Sequence, residues 1–141
     1  MRVALKLLTI LIFVSVTLSS NNVSAKRAAI IIDYDTQEVL FEVNADTLNY
    51  PASLAKIMTL YIAFDYLNKN KLSWDDKMKV SETAASRSPS KLYLEKNSSI
   101  SVRDAVMALI VKSANDVATV ISEHIAGTER DFAKLMTCLL Y

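Results

Sequence analysis

Tyr50-Pro51-Ala52-Ser53-Leu54-Ala55-Lys56-Ile57-Met58-Thr59 decides how this chain is read, because it sets one hydroxyl and one amine in an otherwise apolar run. From Tyr50 to Phe64 the only charged side chain is Lys56. Pro51 followed by apolar residues predicts a helix starting at about Ala52 or Ser53, apolar nearly all round and therefore buried. Ser53 then falls in the first turn, and Lys56, three residues on, shares its face. A desolvated lysine loses its proton more readily and can act as a base towards a neighbouring hydroxyl, which makes the serine a nucleophile. The chemistry suggested is acyl transfer, helped by the N–H groups and positive dipole end of the helix start. On Ser-x-x-Lys alone a structural reading is favoured, with a capping serine and a lysine that frees its head to water. The rest of the chain has to decide.

Upstream, Arg2 and Lys6 precede the apolar run Leu7 to Leu18, and Val23-Ser24-Ala25 fits a signal peptidase site. Residues 1–25 are therefore expected to be a secretory signal peptide, with membrane association expected only through an uncleaved form of it. Its removal turns the formal net charge from +1 to −1 and leaves one domain at most, residues 26–141. A near-neutral chain without a basic cluster gives no footprint for nucleic acid. The lone Cys138 excludes an internal disulfide, no Cys/His group has metal-ligand spacing, and neither metal nor cofactor is expected.

Ala28-Ala29-Ile30-Ile31-Ile32 and Glu38-Val39-Leu40-Phe41-Glu42-Val43 flank a polar turn and predict an antiparallel hairpin. The central helix should end near Asn68-Lys69-Asn70-Lys71, and Trp74 to Ser90 reads as short helices and loop. Ser101 to Asp104 has capping-box spacing and opens an amphipathic helix to about Lys112. A further helix is expected from about Asp116 to Ala126, stopped by Gly127, and another from Thr128.

Between two of these helices stands the polar triplet Ser113-Ala114-Asn115, where side chains can be held rigidly yet point into a cleft. Ser113 and Asn115 are candidate site residues; their structural reading is as N-caps. His124, the only histidine, sits mid-helix beside Glu123 and reads as a surface or packing residue. A chain with one glycine, Gly127, can hold neither a Gly-x-Ser-x-Gly elbow nor a glycine-rich phosphate loop.

Ser53-x-x-Lys56 followed by Ser113-x-Asn115 resembles the penicillin-binding serine enzymes, and more closely the low-molecular-weight D-alanyl-D-alanine carboxypeptidases. The likeness runs from Ala28-Ala29-Ile30-Ile31-Ile32-Asp33 through Tyr50 to Thr59 and Lys91-Leu92-Tyr93-Leu94 to Ser113-Ala114-Asn115-Asp116 and Phe132-Ala133-Lys134-Leu135-Met136. By that resemblance Ser53 attacks the carbonyl between the terminal D-alanines of a peptidoglycan stem peptide, and water later releases the acyl group. Lys56 would accept the proton, Ser113 would relay one to the leaving amine, and Asn115 would bind the substrate's amide backbone. The resemblance also implies β-lactams as inhibitors and a place in the periplasm or cell envelope.

The family's third motif, Lys-Thr-Gly, is absent from these 141 residues. In the family that strand holds the substrate carboxylate and supplies an oxyanion donor. The fold expected is α+β, a helical cluster with an N-terminal hairpin. It is a truncated version of the β-lactamase/transpeptidase-like fold, from a shortened or frame-shifted gene, with impaired activity. A class A β-lactamase is the alternative enzyme, against which Ala114 counts, since that class has Ser-Asp-Asn there. A non-catalytic envelope protein or pseudogene fragment is the alternative from another class. If export removes residues 1–25, N-terminal sequencing of the envelope protein should begin at Lys26, and a retained Met1 would show an anchor instead.

Overall fold

The computed structural model describes residues 27–140, so the expected signal segment lies outside the described residues. The chain divides into two units at Tyr50/Pro51.

In the first unit β1 (Ala29–Ile32) and β2 (Val39–Val43) form the expected antiparallel pair, with Ala29 opposite Val43, Ile31 opposite Phe41 and an irregularity between Ile31 and Ile32. The turn is built by Asp33, whose Oδ1 accepts from the Asp35 and Thr36 backbone N–H groups and the Thr36 hydroxyl at 2.8–3.1 Å. Those donors favour the carboxylate and lower the Asp33 pKa, the Thr36 backbone bond most. Gln37 closes the turn at φ 60, a left-handed conformation reached without glycine. Every strand residue is exposed, Ile30, Ile31 and Phe41 among them by about half. A two-stranded sheet alone has too little area to cover its own apolar faces.

The second unit is the helical cluster. It contains α1 (Ala55–Asn68), β3 (Lys77–Lys79), the short α2 (Glu82–Ala85), β4 (Ser99–Ser101), α3 (Val102–Lys112), α4 (Asn115–Ala126) and α5 (Glu129–Leu140). Two starts follow their sequence signals: the Ser101 and Thr128 hydroxyls accept from the Asp104 and Asp131 N–H groups at 3.1 and 3.0 Å. Gly127 ends α4 at φ 79. The stretch from Trp74, expected to hold only short helices and loop, also contributes β3, which pairs antiparallel with β4, Met78 opposite Ile100. Three-residue strands are too short for alternation to register in sequence.

The packing centre is α4 rather than α1. Helix α4 touches α1, α2, α3, α5 and β3, and buries Val117, Val120 and Ile121 against a core that includes Met78, Val80, Val106 and Leu109. The expectation that α1 is buried all round is corrected: only Thr59, Ile62 and Ala63 are buried, while Ile57, Tyr61 and Phe64 are exposed. Within this unit α1 packs on α3, α4 and α5, which cover one side of a helix whose composition is apolar on all sides. Among the described residues no helix is long and apolar enough to cross a membrane.

Ile121→Ala should lower unfolding stability in urea by about 2–5 kcal/mol, because the site is sealed on the central helix. Ile110→Ala, at an exposed position of α3, should change it by less than about 0.5 kcal/mol.

Candidate active site

The two motifs meet on the second unit. Ser53 lies in a single 3₁₀ turn, Ala52–Leu54, just before α1 rather than inside it. Its side chain is exposed, and Lys56, one turn on, is half-buried. Ser53, Lys56 and Asn115 line one open cavity of about 440 Å³ together with Thr59, Ala118, Glu129, Phe132 and Met136.

Ser113 ends α3 in the left-handed conformation at φ 55. That turn directs its freed carbonyl and its hydroxyl to the same point, and Lys56 Nζ donates to them at 2.6 and 3.1 Å. The ammonium also donates to Asn115 Oδ1 at 2.6 Å. Neither Ser113 nor Asn115 is the side-chain N-cap of the structural reading: Ala114 holds the cap position, and Asn115 is the first helical residue of α4. The four residues picked from sequence thus converge. Lys56 bridges the turn, and Ser53 stands on the same cavity; among the described residues the Ser53 hydroxyl makes no hydrogen bond, while its carbonyl accepts from the Ala55 N–H.

Burial lowers the Lys56 pKa from the ordinary lysine value. Its three acceptors are uncharged oxygens, so no carboxylate opposes the loss of solvation. The half-exposed setting thus favours the neutral amine more than water does. His124 is exposed and opens on a different concavity, with Lys79, Ser81 and Asn97.

Sequence reasoning missed the strap that holds Asn115. Ser88 O accepts from Asn115 Nδ2 at 2.9 Å, and Ser90 O accepts from its backbone N–H at 2.6 Å. The Ser90 hydroxyl in turn donates to Lys112 O at 2.9 Å. Backbone carbonyls carry no sequence signature, and Pro89 within a serine-rich run was the one hint that this segment is not helical. A second set of contacts braces the cavity's edge: Arg87 pairs with Glu129, and Thr119 Oγ1 accepts from Arg87 Nε at 3.0 Å and donates to Glu129 Oε1 at 2.7 Å.

The lowered pKa fixes a sign. In the interval between the folded Lys56 pKa and the ordinary lysine value, the unfolded chain binds more protons, so stability rises with pH there. The cost of burying the ammonium is present in full below the folded pKa and disappears as pH rises through that interval. Urea unfolding at a series of alkaline pH values should show this rise, and Lys56→Met should remove that component of the slope.

A family model described as D-alanyl-D-alanine carboxypeptidase matches residues 15–139. The D-alanyl-D-alanine carboxypeptidase DacF of Bacillus subtilis is 34% identical over 110 residues, which is 78% of this chain and 28% of that protein. The crystal structure of the D-alanyl-D-alanine carboxypeptidase DacD from Francisella tularensis superposes with a TM-score of 0.72 at 34% identity, over 86% of this chain and 33% of that one. Penicillin-binding protein D2 from Listeria monocytogenes, solved in its ampicillin-bound form, gives 0.65 at 33% identity, over 79% of this chain and 44% of that one. The chain therefore spans about a third of the length of these relatives.

Proposed function

Because the chain belongs to the D-alanyl-D-alanine carboxypeptidase family, we propose that its site performs the acylation half of that chemistry on peptidoglycan stem peptides ending in D-Ala-D-Ala, with Ser53 as nucleophile. The observation that carries this reading is the Lys56 amine, desolvated and held by Ser113 and Asn115 on the cavity that Ser53 lines. Lys56 in its neutral form takes the Ser53 proton as the hydroxyl oxygen attacks the carbonyl. Ser113, hydrogen-bonded to that amine, passes a proton to the departing D-alanine nitrogen. Asn115 orients Lys56 through Oδ1 and binds the substrate's amide backbone. The acyl-enzyme is an ester on Ser53, and water releases it. β-Lactams enter the same step as acylating inhibitors, as the ampicillin-bound Listeria relative suggests. An exported protein of the periplasm or cell envelope, cut after residue 25, fits a substrate found only there.

Lys-Thr-Gly, which the family places on a later strand, does not occur in these residues. Loss of one oxyanion donor costs about a hundredfold to a thousandfold in rate in a studied hydrolase. The 141-residue chain should therefore take a fluorescent penicillin at Ser53 slowly, over hours, and release little D-alanine from a peptide ending in D-Ala-D-Ala. Ser53→Ala should take none. Lys56→Arg, which stays charged and cannot accept a proton, should fold and remain unlabelled. Label that survives Ser53→Ala would overturn the nucleophile, label on Lys56→Arg would overturn the base, and an unlabelled parent chain would overturn the claim that these side chains suffice for acylation. Rapid, steady D-alanine release would overturn the part assigned to the missing motif.

A further inference from the structure

Asp116 is fully buried, 0% exposed, and no cation among the described residues pairs with it. An isolated carboxylate in that position is costly unless hydrogen bonds replace its water. Four contacts from three backbone N–H groups do so: Leu92 N to both oxygens at 3.0 Å, Leu94 N to Oδ2 at 3.1 Å, and Val117 N to Oδ1 at 2.9 Å. Standing in the first turn of α4 adds the favourable helix dipole. A carboxylate that only finished the helix would need the Val117 bond alone. The Leu92 and Leu94 bonds reach a segment 24 and 22 residues upstream and pin the Ser88–Leu94 strap across the α3–α4 junction.

That strap sets which way the Asn115 amide points. An asparagine side chain has a donor end and an acceptor end. Seating Nδ2 on Ser88 O turns Oδ1 towards Lys56 Nζ. We infer that Asp116 is a positioning residue for the Ser53 chemistry, acting through the strap and Asn115 to hold Lys56 in place; its bearing on catalysis rests on the function proposed above. Asp116→Asn cannot reproduce the arrangement, because an amide has one acceptor oxygen where both carboxylate oxygens accept, and its NH₂ would face backbone donors.

The test uses the full chain and nitrogen NMR. Asp116→Asn should lower hydrogen-exchange protection of the Leu92 and Leu94 amides by about tenfold or more relative to the rest of the core. It should also let water reach Lys56, moving its titration upward towards the ordinary lysine value. Asn115→Ala should move that titration as well, and the double variant no further than Asn115→Ala alone, because the two act in series. Asp116→Glu keeps the charge but lengthens the arm; it should show the same strap release and covers the case in which the asparagine variant does not fold. Val80→Ala, which weakens the core just past β3, should leave the Lys56 titration unchanged. A folded Asp116 variant whose Lys56 titration matches the parent, or additive shifts in the double variant, would overturn the inference. Penicillin labelling of the parent chain is scored separately: its absence with these shifts present sinks the proposed function and not the positioning role, and the reverse pattern sinks the positioning role alone.

Discussion

The site depends on one cation reaching one helix end. The last carbonyls of an α-helix have no intrahelical donor, and at Ser113 the left-handed turn brings such a carbonyl and a hydroxyl onto a common point. Lys56 satisfies both. It thereby ties α1 to the α3–α4 junction and surrenders part of its own hydration. The contact stabilises a polar turn, while burial lowers the pKa of the amine that makes it. Lysine, unlike arginine, can give up its charge.

The junction stays in place because of what lies behind it. Ala114 is buried and offers no cap, so the start of α4 takes its partners from elsewhere: Ser90 O for the Asn115 N–H, and the Asp116 carboxylate for Val117. Beneath these, Val117, Val120 and Ile121 anchor the helix in the core. Among the described residues no buried side-chain polar atom is left without a partner. The polar layer is therefore fully connected, the condition under which buried polar networks give rigidity rather than cost.

The two units contrast in this respect. The hairpin has a well-defined turn around Asp33 but exposes both apolar faces. The helical unit has a sealed centre at α4, yet leaves Ile57, Tyr61 and Phe64 of α1 and Met107, Ile110 and Val111 of α3 exposed. Relatives roughly three times as long share this portion of the fold, so these faces belong to a portion whose counterparts in the relatives are followed or preceded by more chain.

Much of this was legible in the sequence. Hairpin and helix boundaries follow from strong local signals: β-branched runs around a polar turn, hydroxyl caps at Ser101 and Thr128, and glycine at position 127. The four candidate site residues could be picked because a lysine in an apolar run and a Ser-x-Asn between helices are chemically conspicuous. Other features needed the tertiary structure. Lys56 hydrogen-bonds Ser113 and Asn115 and not Ser53, a choice made by the left-handed turn and by which helix end comes within reach. The packing centre is α4, although α1 is the more uniformly apolar, because burial is decided by how many neighbours a helix meets and not by its composition. The strap at Ser88 and Ser90 and the burial of Asp116 left no trace in the pattern of residues, since they rest on backbone groups, which every residue shares, brought together from more than 20 positions apart.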